Sequence, residues 1–352
     1  MPVSPVLAEQ FSREVVAIYA EVERKLLARI AISVASGADG PDWVNRKLAE
    51  VQFLTAQARR LVAEVGDRAA AQVALDLVRA YNQGGAAAAA DLAALLHISL
   101  YEAAAPIYGL PPVELLVAET MGQLTAVGER ILRATADAYR QVIAESAAEA
   151  LVGAQTRRQA SQQALNRFAQ RGITGFVDRA GRGWQLTSYV EMAMRTATGK
   201  AAVAGNLDRL QMFGQDLVIV SDAPKECPLC RPWEGRVLSI SGKDPNQPTV
   251  EQARSAGLHH PACRHSLSLY QPGVTRPRGE TADPAGYANA QKLRYLERQV
   301  RASKRMEVVA IDEQAKKAAA ARVRNYQQQI RDHVNATGAK RLRYREQIGG
   351  AI

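Results

Sequence analysis

The chain has 352 residues and carries 45 Lys and Arg against 35 Asp and Glu, which gives a formal net charge of +10 at pH 7. This length excludes a single small module and accommodates two or three domains, and the basic balance is typical of proteins that work near polyanions. Three cysteines are too few for a disulfide framework, and the first ten residues lack the pattern of a signal peptide. We therefore expect a protein of a reducing compartment, and because no stretch approaches about 18 uninterrupted apolar residues, we expect that it does not span a membrane.

Apolar residues at helical spacing dominate the first 170 residues, which we interpret as an all-helical region. The first helix is predicted over about 5–35 and ends at a cluster of glycines and a proline. A second helix runs towards the Asn-Gln-Gly-Gly segment at 82–85, where we predict a break, and a third covers the Ala-rich segment to about Ile107. A long helix is predicted after Pro111-Pro112.

The pattern changes at Gly172, where four glycines and two aromatic residues precede position 185 and predict a hairpin or a tight loop. A helix is predicted from Ser188 to about Phe213. Val218-Ile219-Val220 is β-branched and predicts a short buried strand, and 236–240 and 265–270 are further strand candidates. The sequence thus predicts a small α+β module over residues 171–272.

All three cysteines and three of the five histidines lie between residues 227 and 265. Cys227 and Cys230 form a CxxC pair whose thiolates can bind one ion, and His260 with Cys263 supplies a second pair for a tetrahedral site. Such soft ligands favour zinc over magnesium or calcium, and four protein ligands make a closed, structural site. We therefore predict a structural zinc ion held by Cys227, Cys230, His260 and Cys263, with His265 as an alternative to His260.

Other interpretations of this cluster remain open. The 29 residues from Arg231 to His259 exceed the roughly 15–20 of a common zinc ribbon, so the cysteines and histidines could be ordinary packing residues. A redox pair is disfavoured because turn-forming residues, rather than a helix, follow Cys230. An HNH-type nuclease would use adjacent histidines near a zinc knuckle, one of them as a general base, but only one CxxC pair is present.

The stretch from about 155 to 272, which includes the cysteine and histidine cluster, resembles the minor capsid protein 2 family of tailed bacteriophages. That family is related to portal-associated head-morphogenesis proteins. The similarity is carried by several segments: Gly172-Ile-Thr-Gly-Phe-Val-Asp-Arg-Ala-Gly-Arg, Trp184, Tyr189-Val-Glu-Met-Ala-Met-Arg-Thr196, Asp216-Leu-Val-Ile-Val-Ser-Asp222, Cys227-Pro-Leu-Cys230-Arg-Pro-Trp-Glu-Gly235 and His260-Pro-Ala-Cys263-Arg-His265-Ser-Leu. Relatives often have Asn where this chain has Ala262. The resemblance implies a virion protein present in few copies, without enzymatic activity.

Residues 273–352 are predicted to be a linker followed by a basic helical tail, with helices over about 285–310 and 312–336. Residues 286–352 contain fifteen Lys or Arg and six Asp or Glu, so +9 of the net +10 lies there. Such a tail can bind DNA by releasing counterions, without reading bases. The candidate DNA-binding residues are Lys340, Arg341, Arg343 and Arg345. A solvated helix surface or an acidic partner protein would explain the same charges.

The combined expectation is a mainly α protein with long N-terminal helices, a small α+β zinc-stabilised module and C-terminal basic helices. We expect a structural minor capsid protein, not an enzyme, that contributes to head assembly, genome packaging or delivery. Its expected partners are the portal protein or the major capsid protein, and packaged DNA through the tail, with no membrane and no small-molecule substrate. We expect it in the virion, at the capsid interior or portal vertex, after synthesis in the host cytoplasm. The alternatives are an HNH-like metal-dependent nuclease and a cytoplasmic zinc-containing DNA-binding adaptor.

Overall fold

The structure is a computed structural model that describes residues 5–38, 40, 42–104, 111–151, 155–172, 176–177, 183–223, 228–261, 263–276 and 283–349. Helices account for 75 % of it, which confirms the predicted mainly α fold. The described helices are α1 (Pro5–Ala35), α2 (Trp43–Leu96), α3 (Leu100–Ala103), α4 (Pro111–Leu151), α5 (Arg157–Arg171), α6 (Leu186–Met212), α7 (Val250–Ser255), α8 (Pro284–Val308) and α9 (Glu313–Thr337). The strands are β1 (Phe176–Val177), β2 (Gly183–Trp184), β3 (Leu217–Val220), β4 (Val237–Ser239) and β5 (Leu267–Leu269).

Most helix boundaries follow local signals in the sequence. Thr156 caps α5 with a reciprocal hydrogen-bond pair to Gln159, a capping box that satisfies two backbone donors at the helix start. Asp312 accepts from the amide of Ala315 at the start of α9, and Gly338, with φ of 66°, ends that helix in the left-handed conformation. The helix predicted to start near Ser188 is α6, which begins two residues earlier.

The predicted break at residues 82–85 is wrong, because α2 continues through it to Leu96. The two glycines are used for packing instead of a turn. A Cβ atom at Gly84 would overlap the carbonyl oxygen of Ala202 in α6, and one at Gly205 would overlap the carbonyl oxygen of Tyr81. The paired glycines therefore let two helix backbones approach more closely than any residue with a side chain allows.

The predicted strands at 218–220, 236–240 and 265–270 are confirmed and form one antiparallel sheet in the order β4-β3-β5. β1 and β2 pair as the predicted hairpin, whose connecting residues lie outside the described part of the chain. One face of the three-stranded sheet packs against α6 and α2 in a single apolar cluster. Its buried members include Ala89, Leu92, Leu207, Leu210, Val218, Val220, Cys230, Leu238, Leu267 and Leu269.

The chain divides into two compact units, each assembled from three separate stretches. The first comprises Met1–Val15, Ala70–Gln123 and Glu191–Ala288, and it contains the three-stranded sheet. The second comprises Val16–Ala69, Leu124–Val190 and Asn289–Ile352, and in it α8 and α9 share a small core. The buried members of that core are Leu293, Leu296, Val300 and Ile330. The sequence-based boundaries at 170/171 and 272/273 stay predictions.

Asp76 of α2 provides a pH-dependent prediction within the first unit. Its side chain is 2 % exposed, and Oδ2 is buried without a hydrogen-bond partner among the described residues. Burial raises the pKa of Asp76 to about 6, and nearby Glu14 adds to the rise, against the opposing effects of Gln72 and Arg79. Because this pKa exceeds the ordinary value of 3.8, the neutral form is favoured by folding. The contribution of neutral Asp76 to the free energy of unfolding is therefore fully present below about pH 4 and is lost as pH rises through 6.

We expect Asp76→Asn to raise the free energy of unfolding at pH 7.5 by up to about 3 kcal/mol, and to have little effect near pH 4. The Asn side chain keeps an oxygen that can accept the 3.0 Å hydrogen bond from Gln72 Nε2. Urea unfolding of the two proteins at both pH values measures the difference. An equal difference at the two pH values would contradict the assignment.

Candidate metal centre

Cys230 is placed by the apolar core of the first unit. Its side chain is fully buried, and its carbonyl oxygen accepts a 2.9 Å hydrogen bond from the amide of Trp233, which closes a short 3₁₀ turn at Arg231–Trp233. The chain then returns to the sheet, where the amide of Gly235 donates to the carbonyl oxygen of Val220 at 3.1 Å. The thiol of Cys230 is therefore held at one end of β3.

His260 and Cys263 lie in the loop between α7 and β5. The amide of Cys263 donates to the carbonyl oxygen of His260 at 2.9 Å, which folds the segment into a tight turn. Nδ1 of His260 lies 2.9 Å from the carbonyl oxygen of Pro261, a contact that favours Nε2 as the nitrogen that would bind a metal. The turn thus presents an imidazole and a thiol on the same side.

The two loops bring three potential ligands together. The Sγ atoms of Cys230 and Cys263 are 3.5 Å apart, and the ligand atoms of Cys230, His260 and Cys263 all lie within 4.8 Å of one another. Two thiolates on a tetrahedral zinc ion, with Zn–S bonds of about 2.3 Å, lie about 3.8 Å apart. The observed sulfur separation is close to that value, so these residues can hold a metal ion.

Three of the four predicted ligands are among these residues, and Cys227, the fourth, lies outside the described part of the chain. The ligand assignment itself stays a prediction. The 29-residue connection that made the spacing unusual contains β4 and α7. Helix α7 was missed in the sequence, although the capping box between Thr249 and Gln252 is the signal that identifies it.

His265, the predicted alternative ligand, contacts Cys263 and Glu234. Its Nδ1 atom lies 3.4 Å from Cys263 Sγ, and its Nε2 atom lies 2.6 Å from Glu234 Oε1. The backbone amide of His265 also donates to Cys263 Sγ at 3.4 Å. Glu234 was not predicted as a site residue, although it lies four residues after the CxxC pair and within the segment from Cys227 to Gly235 that carries the family resemblance.

The electrostatics of the cluster favour the thiolate form of Cys263. Its contact with Cys230 is the largest cause that holds the pKa of the Cys263 thiol well below its ordinary value, and the contacts with His265 act in the same direction against burial. Burial works to lower the pKa of His265, but its contacts with Cys263 and Glu234 outweigh burial and raise it. A thiolate is the form of cysteine that binds metals.

A cavity of about 520 Å³ borders the cluster, and His259, His260 and Cys263 contribute to its wall. Of the two cysteines of the cluster, Cys263 lines this cavity, whereas Cys230 is fully buried. His259 has a left-handed backbone, with φ of 57°, and both of its ring nitrogens are buried without a hydrogen-bond partner among the described residues. Burial lowers the pKa of His259 to about 4, so its imidazole is neutral at neutral pH.

The four predicted DNA-binding residues lie in two different environments. Lys340 and Arg343 are exposed. Arg345 is only 4 % exposed and lies 3.8 Å from Glu297, whereas Arg341 forms a two-bond ion pair with Glu346 at 2.6 and 2.7 Å. The guanidinium groups of Arg341 and Arg345 therefore interact with carboxylates of the C-terminal region itself.

Comparison with known proteins extends the resemblance from about a third of the chain to nearly all of it. The family model for phage minor capsid protein 2 matches residues 3–335 of 352. No curated protein and no solved structure matches the chain. Across the described residues, no helix combines the length and apolar character needed to cross a membrane. The predicted family is thus confirmed, and the chain belongs to the phage minor capsid protein 2 family.

Proposed function

We propose that this protein is a structural component of the phage head that sits at the portal vertex or the inner capsid surface and contributes to head assembly, genome packaging or delivery. The family match over nearly the whole chain carries this proposal, since it supports a virion protein. Long helices suit an architectural role, because they offer extended faces to neighbouring subunits.

The metal centre is proposed to be a structural zinc site. Cys227, Cys230, His260 and Cys263 would hold the ion, and three of them already converge. Zinc fits this ligand set because thiolates and imidazole are its preferred ligands. When bound, zinc would link the loop after β3 to the loop before β5. Because four protein ligands leave no open position, the site supports a non-enzymatic role.

Purified virions provide the test of the capsid role. Quantitative mass spectrometry is expected to find the protein at a fixed ratio well below that of the major capsid protein, and chemical cross-linking is expected to join it to the portal or the inner shell. Its absence from intact particles would contradict the proposal. Cleavage of plasmid DNA with Mg²⁺ or Mn²⁺ that is lost in His259→Ala would establish the nuclease alternative instead.

We also propose that packaged DNA contacts the exposed cations of the C-terminal tail. Lys340 and Arg343 belong to this set, and α9 adds Lys317, Arg324 and Arg331, which recur every seven residues and are exposed. Seven residues of helix advance by about 10 Å and return to the same face, so these three side chains form one stripe. None of the three forms an ion pair among the described residues.

Reversing the charge of Lys317, Arg324 and Arg331 is expected to weaken binding of the full-length protein to random-sequence duplex DNA. In the triple variant K317E/R324E/R331E, the slope of log affinity against log salt concentration should become smaller in magnitude by about 3, because three phosphate contacts are lost. The triple variant R59E/R60E/R133E is the matched control, since it reverses three exposed helical cations outside the tail. DNA affinity is measured by fluorescence anisotropy. An equal loss of DNA affinity in the two variants would assign the effect to net charge and contradict a DNA interface on the tail.

A further inference from the structure

We propose that Glu234 is the positioning residue of the metal centre, acting through His265 on the ligand Cys263. The inference rests on the proposed metal site and adds two residues to it. Glu234 belongs to the loop that carries Cys230, and His265 belongs to the loop that carries Cys263. Their 2.6 Å contact therefore joins the two ligand loops independently of the metal.

The contact is held from both sides by the central strand. Glu234 Oε1 also accepts a 3.3 Å hydrogen bond from the amide of Ala223, just beyond β3. The neighbour of His265, Ser266, donates its amide to Ser221 Oγ at 3.0 Å and accepts from the amide of Ser221 at 2.9 Å. The carboxylate of Glu234 and the backbone next to His265 are thus both fixed at the same end of β3, which keeps the two side chains within contact distance.

Burial makes the pair rigid. The side chain of His265 is 2 % exposed and that of Glu234 is 12 % exposed, so little water competes for the contact. A buried polar group without a partner costs free energy, which disfavours any rotamer that separates the two. The imidazole ring is therefore held in a single orientation.

That orientation directs Nδ1 at the thiolate of Cys263. Nε2 lies 2.6 Å from Glu234 Oε1 and Nδ1 lies 3.4 Å from Cys263 Sγ, and the His265 amide donates a hydrogen bond to the same sulfur. Cys230, His260 and Cys263 form the compact ligand group, whereas His265 lies outside it and contacts it through Cys263. Hydrogen bonds to a ligating sulfur fix its position, and loss of such outer partners commonly lowers metal affinity about 10–100-fold.

Zinc affinity of the full-length protein, measured by competition with a chelating dye, tests the role. We expect Glu234→Ala to weaken zinc binding about 10–100-fold, and Glu234→Gln to have a smaller effect because the amide oxygen can still accept from His265. Glu251→Ala is the matched control and should bind like the wild type, since Glu251 lines the same cavity but is exposed and pairs with Arg254 at 3.6 Å.

Thermal unfolding of the metal-free proteins separates positioning from general stability. The metal-free Glu234→Gln variant should unfold at a temperature close to that of the metal-free wild type. Its loss of stability should then appear only when zinc is added. Equal zinc affinity in the wild type and both Glu234 variants would overturn the positioning role and leave the metal site intact. A wild-type protein that binds no zinc would overturn the metal site and the positioning role together.

Cobalt substitution distinguishes positioning from ligation by His265. In His265→Ala, the Co²⁺ protein is expected to keep its tetrahedral absorption bands and its thiolate charge-transfer bands at reduced affinity. Loss of the tetrahedral bands would show that His265 is itself a ligand, and it would overturn the proposed division of roles.

Discussion

A single methyl group added at position 84 or 205 is expected to destabilise the first unit more than any other conservative change in its helices. The added Cβ would overlap a backbone carbonyl oxygen of the facing helix, Ala202 for Gly84→Ala and Tyr81 for Gly205→Ala. Backbone atoms cannot move aside by changing rotamer, so α2 and α6 would have to separate. The separation would loosen the apolar cluster that both helices share with the sheet.

We expect each variant to lose about 3 kcal/mol or more of unfolding free energy, even though alanine has a higher helix propensity than glycine by about 1 kcal/mol. The separation would also strain the 2.7 Å hydrogen bond from Tyr81 OH to Asp208 beside the crossing. Denaturant unfolding followed by circular dichroism measures the loss.

Gly199→Ala is the matched control, because it lies in α6 and its added Cβ would have no neighbour within 4 Å. It should be neutral or more stable by up to about 1 kcal/mol, through helix propensity alone. If Gly84→Ala and Gly205→Ala unfold like this control, the close helix contact does not exist in solution.

The second large effect on stability is expected when a cysteine of the metal centre is replaced. Cys263→Ser is expected to abolish stoichiometric zinc binding and to lower the free energy of unfolding by at least about 3 kcal/mol, because a structural zinc site contributes directly to folding. Cys230→Ser should lose zinc equally, with an added cost from a hydroxyl group in the core, where the side chain is fully buried.

A chelator provides the control for this effect. Removing the metal from the wild type should lower its stability to that of Cys263→Ser, and the same treatment should leave the variant unchanged. A variant that remains sensitive to the chelator would show that the stabilising ion is bound elsewhere.

Local patterns in the sequence were sufficient for most elements of the fold. The β-branched run at Val218-Ile219-Val220 identified the central strand, and the helical stripes identified α1 and α4. The clustering of Cys230, His260 and Cys263 in the sequence also predicted their convergence, since a CxxC pair and a second His/Cys pair are the ligands of one tetrahedral zinc site.

What the sequence could not supply depends on contacts between distant residues. The glycine at position 84 predicts a break until its partner Gly205 is known to face it. Glu234 acquires a role only through His265, 31 positions away. Likewise, Arg345 resembles a free surface cation in the sequence, but Glu297 in α8 approaches its guanidinium. Local propensity carries no information on such pairings.

Zinc analysis of the purified full-length protein, combined with X-ray absorption spectroscopy, tests the central claim most directly. The account predicts one zinc ion per chain, bound by three sulfur atoms at about 2.3 Å and one nitrogen at about 2.0 Å, which corresponds to Cys227, Cys230, Cys263 and His260. Protein that contains no stoichiometric zinc, or that carries a disulfide between Cys230 and Cys263, would contradict it.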